Sequence, residues 1–94
     1  MRVPLIAGNW KMHTTIAEAV HLVSEMINDL EAVHGVEIVL CPPFVSLYPV
    51  YEMLRGGPVL LGAQNVDYRD FGAVTGEIAA RMLSPDLLDG HRWP

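Results

Sequence analysis

Three short apolar runs recur along this chain, and a segment with helical spacing follows each of them. The runs cover residues 3–8, 36–41 and 59–63 and are rich in valine, isoleucine and leucine. Such runs predict short strands that are buried on both faces. Strands that alternate with helices favour a parallel sheet joined by right-handed crossovers. The pattern therefore predicts an α/β fold in the order β-α-β-α-β-loop-α, with about 30 residues per unit. It does not distinguish an open sheet from part of a barrel.

The first predicted helix begins at a capping box. The Thr15 hydroxyl can accept a hydrogen bond from the backbone amide of Glu18, whose carboxylate can reach back to the Thr15 amide. One apolar stripe follows at helical spacing and comprises Ile16, Val20, Val23, Ile27 and Leu30. We expect His34 and Gly35 to end this helix, with the glycine in the left-handed conformation.

Two further helices are predicted after the second and third strands. Ser46 is the expected N-cap of the second helix, and Pro49 lies in its first turn, where a missing backbone N–H costs little. The apolar face of this helix comprises Leu47, Val50, Tyr51 and Leu54. After a long loop over residues 64–74, the third helix is predicted over residues 75–83. The Ser-Pro-Asp sequence at residues 84–86 is expected to end it.

The composition excludes several classes of function. The chain has 94 residues, enough for one small domain, of which 51% are hydrophobic and 18% charged. The formal net charge is -5 and no basic cluster occurs, so we expect no nucleic-acid or membrane partner. The single cysteine, Cys41, fits a reducing compartment. The apolar run over residues 3–7 is too short for a signal peptide or a membrane span. These features predict a cytoplasmic protein in which an anionic substrate would need a locally placed cation.

Polar and proline-containing segments follow the predicted strands, at the sheet edge where α/β proteins bind ligands. They read Asn-Trp-Lys-Met over residues 9–12, Cys-Pro-Pro-Phe over 41–44 and Gln-Asn-Val-Asp over 64–67, with Thr-Gly-Glu over 75–77. In this order and spacing, the segments resemble the triosephosphate isomerase family over residues 1–83. The resemblance implies a partial TIM (β/α)8 barrel with roughly three parallel βα units.

The resemblance also implies roles for particular residues. Lys11 matches the lysine that contacts the phosphorylated triose and offsets negative charge on the enediolate, and Asn9 matches the asparagine that binds the substrate and steadies that lysine. Thr75 matches the tip of a loop that inserts beside the active site of a neighbouring subunit in a homodimer. Gln64 and Asn65 would support that loop and the dimer contact. The implied reaction interconverts glyceraldehyde 3-phosphate and dihydroxyacetone phosphate in glycolysis and gluconeogenesis, without a cofactor or a metal.

Taken alone, the same residues have simpler explanations. A lysine after a strand is usually solvated, Asn9 can form a turn, and Thr75 can cap the third predicted helix. Cys41 reads as a small buried hydrophobe, because its sequence neighbours include no histidine or lysine that would activate it. The histidines lack metal-ligand spacing with each other or with Cys41; they are His13, His21, His34 and His91.

Residues 84–94 form a divergent tail. The family continues into a fourth strand that ends in Gly-His-Ser-Glu, and only Gly90 and His91 match it, with a spacing from the third helix that is several residues short. His91 is thus a candidate catalytic histidine, and the alternative is a solvated residue near a frayed terminus. The family's glutamate base and phosphate-binding loops match no residues of the chain. We therefore expect the chain alone to be inactive.

The sequence leaves two other functions open. One is a non-catalytic βα module that oligomerises through the loop around Thr75, or that needs a complementing barrel fragment. The other, a different phosphate-binding α/β protein, is less favoured because the sequence has no glycine-rich phosphate loop. A sheet of three parallel strands taken from a barrel has an open edge and apolar faces without neighbours. These features predict self-association or dependence on a complementing fragment.

Overall fold

A computed structural model describes residues 2–87, which form a three-stranded parallel sheet with helices between the strands. The elements are β1 (Leu5–Asn9), α1 (Ile16–Glu31), β2 (Glu37–Cys41), a short 3-10 turn (Phe44–Ser46), α2 (Leu47–Leu54), β3 (Leu60–Leu61) and α3 (Ala80–Leu87). The strand order is β1-β2-β3, and both neighbouring pairs are parallel. The predicted α/β fold and its order of elements are confirmed.

The register aligns the carboxyl ends of the strands. β1 pairs with β2 from Leu5 opposite Glu37 to Asn9 opposite Cys41. The hydrogen bonds to β2 continue past the ends of β1 and β3. The Trp10 amide donates to the Cys41 carbonyl at 3.1 Å, and the Gly62 amide donates to the Leu40 carbonyl at 2.9 Å. The segments that follow the strands therefore meet at one edge of the sheet.

The core lies between α1, α2 and strands β2 and β3. Its buried members are Ala19, Val23, Leu40, Leu47, Val50, Tyr51, Leu54, Val59, Leu61 and Leu83. The predicted apolar face of α2 is confirmed, since all of its members belong to this cluster. The predicted stripe of α1 is only partly right: Val23 is buried, but Ile16 and Val20 are exposed. The reason is that α1 packs mainly against α2, so its buried face is centred on Ala19 and Val23.

Strand β1 is not the buried strand that its apolar sequence predicts. Leu5 is 52% exposed and Ile6 is 57% exposed. In the described part of the chain, β1 is an edge strand that pairs only with β2, so both residues lack neighbours on one side. The open edge and uncovered apolar surface that the resemblance predicts are therefore present.

One predicted helix end is wrong, and one predicted cap lacks its hydrogen bond. Helix α1 ends at Glu31, before His34, and Gly35 takes its left-handed conformation (φ +85°) in the loop that leads to β2. Ser46 occupies the position before α2, but its side chain makes no capping bond and its buried Oγ finds no partner among residues 2–87. The cause is the 3-10 turn, which brings Ser46 into α2 with helical φ and ψ of -99° and -1°, whereas an N-cap serine needs extended backbone.

The third helix begins later and ends later than predicted. It covers Ala80–Leu87, whereas Thr75 lies in a turn beside Gly76, whose φ is +89°. A parallel bridge joins Asp67 to Ala79, and the Asp67 amide donates to the Ile78 carbonyl at 2.7 Å. Because this bridge requires extended backbone just before residue 80, Thr75 cannot act as the helix cap.

Candidate active site at the carboxyl ends of the strands

Asn9 and Lys11 form a hydrogen-bonded turn at the end of β1. Asn9 is the last residue of the strand, and its Oδ1 accepts a hydrogen bond from the Lys11 backbone amide at 2.9 Å. An asparagine that binds the amide of the second residue along is typical of a tight turn. Both side chains are exposed, so the Asn9 amide group and the Lys11 ammonium are accessible to a ligand at this edge.

Lys11 has an unusual backbone conformation for a residue with a Cβ atom. Its φ is +58°, which places it in the left-handed region that costs L-residues about 1–2 kcal/mol. Strained residues of this kind concentrate at functional sites, where the surrounding structure holds them in place. Lys11 is also the only lysine in the sequence. It therefore provides a single ammonium group at the edge where ligands of α/β proteins bind.

Gln64 connects the ends of β1 and β2. It follows β3, and its Nε2 donates to the Lys11 carbonyl at 2.9 Å and to the Cys41 carbonyl at 2.8 Å. Sequence reasoning assigned Gln64 to the support of the interface loop and missed these two contacts. No local pattern reveals them, because Gln64 is 53 residues from Lys11 and 23 residues from Cys41.

Trp10 and Cys41 form the inner side of this edge. Trp10 packs against the hydrophobic core, and Cys41 is half-buried without a disulfide partner. Burial raises the pKa of the Cys41 thiol. A thiol with a raised pKa stays protonated at neutral pH and is a poor nucleophile, which agrees with the interpretation of Cys41 as a packing residue.

The loop after β3 carries the two remaining candidates. Asn65 and Thr75 are both exposed, and the Glu77 amide closes the turn at Thr75 by donating to the Val74 carbonyl at 3.2 Å. The structure does not bring Asn65 or Thr75 into hydrogen-bonding contact with Asn9 or Lys11 within residues 2–87.

A bidentate ion pair between Arg69 and Asp67 orders the start of this loop. Arg69 donates from Nε to Asp67 Oδ2 at 2.8 Å and from Nη2 to Oδ1 at 3.0 Å. The side-chain hydrogen bonds from Arg69 are the main reason that the pKa of Asp67 is lowered. The ion pair and the bridge to Ala79 together hold the base of the loop.

His91 lies outside the described residues, so the structure does not place this candidate relative to Lys11. Within residues 2–87, no group of three or more side chains suited to metal binding converges. Among the described helices, none has the length and hydropathy that crossing a bilayer requires.

Comparison with known proteins identifies the family. The model of the triosephosphate isomerase family matches residues 4–86. A triosephosphate isomerase from Dehalococcoides mccartyi is 53% identical over 83 residues, which cover 88% of this chain and 33% of that protein. One from Carboxydothermus hydrogenoformans is 51% identical with the same coverage. One from Clostridium perfringens is 48% identical over 92 residues, covering 95% of this chain and 36% of the relative.

A solved structure agrees with the sequence comparisons. The crystal structure of triosephosphate isomerase from Bartonella henselae matches with a TM-score of 0.81 and 34% identity, over 92% of this chain and 35% of that one. The fold is thus part of a TIM (β/α)8 barrel, and the chain spans about a third of the length of the relatives it matches. On the shared sequence and the shared architecture, this chain belongs to the triosephosphate isomerase family.

Proposed function

We propose that this chain supplies the lysine and asparagine of a triose phosphate isomerisation site. The observation that supports this most directly is the position of Lys11. It is the only lysine of the chain, and it lies within the family match. One hydrogen bond within its own turn, to Asn9, and one from the distant Gln64 hold its backbone at the ligand-binding edge. An exposed cation on a backbone that is held in this way suits an anionic substrate in a chain whose net charge is -5.

The chemistry follows from where charge develops. Removing a proton beside a carbonyl creates an enediolate, whose negative charge the ammonium group of Lys11 stabilises. The accessible amide group of Asn9 can donate a hydrogen bond to a substrate oxygen. Preorganised donors of this kind contribute about 10²–10³ in rate each. This assigns Lys11 electrostatic stabilisation and Asn9 substrate binding, and neither role needs a cofactor.

The carboxylate base must come from elsewhere. We infer that the base and the phosphate-binding loops belong to the two thirds of the relatives' length that this chain does not span, and that the 94 residues alone have no isomerase activity. In this proposal residues 1–83 carry the barrel units, and the divergent segment of residues 84–94 begins within helix α3. The proposed setting is the cytoplasm, with a homodimer contact through the loop around Thr75.

A chimera tests the proposal. Residues 1–87 would be joined to the remaining two thirds of the Dehalococcoides mccartyi relative, and triose phosphate isomerisation would be measured. We expect an active chimera whose kcat/KM falls by at least about 10²-fold on Lys11→Ala. Met12→Ala is the matched control, because Met12 is the next residue and is 95% exposed. An active chimera that tolerates Lys11→Ala as well as Met12→Ala would refute the assignment.

A non-catalytic oligomerisation module is the second candidate. It is favoured by the exposure of large apolar side chains on β1, described above, and on the loop, where Tyr68 is 88% exposed and Phe71 is 77% exposed. Exposed apolar patches commonly mark protein contacts. Sedimentation of the 94-residue chain over a range of concentrations separates the candidates: stable oligomers together with a chimera insensitive to Lys11→Ala would favour the module.

A further inference from the structure

The backbone of Lys11 is held from both sides by side chains. Its N–H donates to Asn9 Oδ1 at 2.9 Å, and its C=O accepts from Gln64 Nε2 at 2.9 Å. These two groups belong to the peptide planes on either side of the Lys11 Cα atom. Fixing both planes fixes the φ and ψ angles between them.

Only one of the two contacts is local. A hydrogen bond from a backbone amide to the side chain of an asparagine two residues earlier forms wherever the turn forms. The Asn9 contact therefore follows the conformation of the turn. Gln64 instead arrives from the far end of β3 and is anchored by its second hydrogen bond, to the Cys41 carbonyl at 2.8 Å. Gln64 therefore holds the Lys11 carbonyl at a set distance from the end of β2, and the pairing of β2 with β1 already fixes that end.

We propose that Gln64 is a positioning residue that keeps Lys11 in its left-handed conformation and so directs the lysine side chain to the ligand edge. The functional part of this inference rests on the function proposed above for Lys11. A left-handed φ of +58° is unfavourable for a residue with a Cβ atom, and the Gln64 contact is the described interaction that reaches Lys11 from outside its own turn.

The requirement for two donors makes the inference specific. Both hydrogens of the Gln64 Nε2 group are used, one for each carbonyl. A glutamate in its place has nearly the same shape but, when ionised, only accepts hydrogen bonds. It would face two carbonyl oxygens with a negative charge, and both contacts would be lost. Gln64→Met removes the donors without adding charge.

Nuclear magnetic resonance on the 94-residue chain tests this directly. Because Lys11 is the only lysine, lysine-selective labelling gives one backbone amide signal. The nuclear Overhauser effect between the amide and Hα protons of one residue is strong when φ is near +60°, since the two protons are then eclipsed. We expect a strong effect in the native chain and its loss in both Gln64→Glu and Gln64→Met. Asn28→Asp, the same amide-to-carboxylate change at an exposed position of α1, should leave it unchanged.

Each outcome decides the matter. Persistence of the strong effect in either folded Gln64 variant would overturn the proposal. If both variants unfold while Asn28→Asp stays folded, Gln64 is a general stability residue and the positioning role is refuted. The readout does not depend on isomerase activity. The effect could be lost in the Gln64 variants while the chimera keeps its activity on Lys11→Ala. That combination would support the backbone role of Gln64 and reject the proposed function.

Discussion

Replacing Lys11 by glycine should destabilise the chain less than replacing it by alanine, which reverses the usual order. Both substitutions remove the ammonium group, and Lys11 is exposed, so neither opens a cavity in the core. They differ in the Cβ atom. Alanine retains the atom that makes a φ of +58° unfavourable, whereas glycine adopts this conformation freely.

The size of the effect can be obtained from two opposing contributions. The left-handed conformation costs an L-residue about 1–2 kcal/mol. Glycine at an ordinary position costs about 0.5–1 kcal/mol relative to alanine, because it loses more freedom on folding. At residue 11 the balance should favour glycine by about 0–1.5 kcal/mol. At an ordinary exposed position, alanine should be favoured instead.

Met12 supplies the ordinary position. It is 95% exposed, and its φ is not among the positive values of the described chain. The preference for glycine over alanine at Lys11, minus the same preference at Met12, equals the strain at Lys11 and should be about 1–2 kcal/mol.

Urea unfolding followed by far-UV circular dichroism gives the free energies of unfolding by linear extrapolation. The four variants to be measured are Lys11→Ala, Lys11→Gly, Met12→Ala and Met12→Gly. All samples need one protein concentration, because self-association shifts apparent stability. If alanine is preferred over glycine by the same amount at both positions, Lys11 is not strained, and the account of its backbone is wrong.

Three further outcomes are expected. Thr15→Ala removes the hydroxyl that accepts from Glu18 at 3.2 Å and should lower the free energy of unfolding by about 1 kcal/mol, measured by urea titration. Leu54→Ala, at a core position only 1% exposed, should cost about 2–5 kcal/mol, and Leu22→Ala, 40% exposed, should cost clearly less; equal losses would contradict the assigned core. Because the Arg69 contacts lower the pKa of Asp67, their contribution to stability is present above the ordinary aspartate pKa and is lost as the pH falls through the lowered value. Arg69→Gln should flatten this acid part of the pH–stability curve, and an unchanged slope would argue against the ion pair.

Local signals in the sequence predicted the features that depend on neighbouring residues. The capping box forms as expected, with the Thr15 amide donating to Glu18 Oε1 at 2.8 Å. The apolar face of α2 is buried throughout, because spacing along a helix decides which side chains share a face.

Features that depend on distant residues were not predictable in this way. The late start of α3 follows from the bridge between Asp67 and Ala79, which no helix propensity at Thr75 reveals. The exposure of Leu5 depends on which strands lie beside β1. The same holds for the candidate site: the motif located Asn9 and Lys11, but the left-handed backbone of Lys11 and the contacts of Gln64 emerged only from the structure.

The contact between Gln64 and Lys11 also determines when the candidate site can form during folding. It closes a loop of 53 residues, and long closures form slowly because chain entropy is lost before the contact is made. On the ribosome, at about 5–20 residues per second, Gln64 follows Lys11 by roughly 3–10 s. Helix α1 and the β1–β2 pair involve only earlier residues. The nascent chain therefore has the motif that contains Lys11 well before it can hold that lysine in its final conformation, and maturation of the site waits for the third strand.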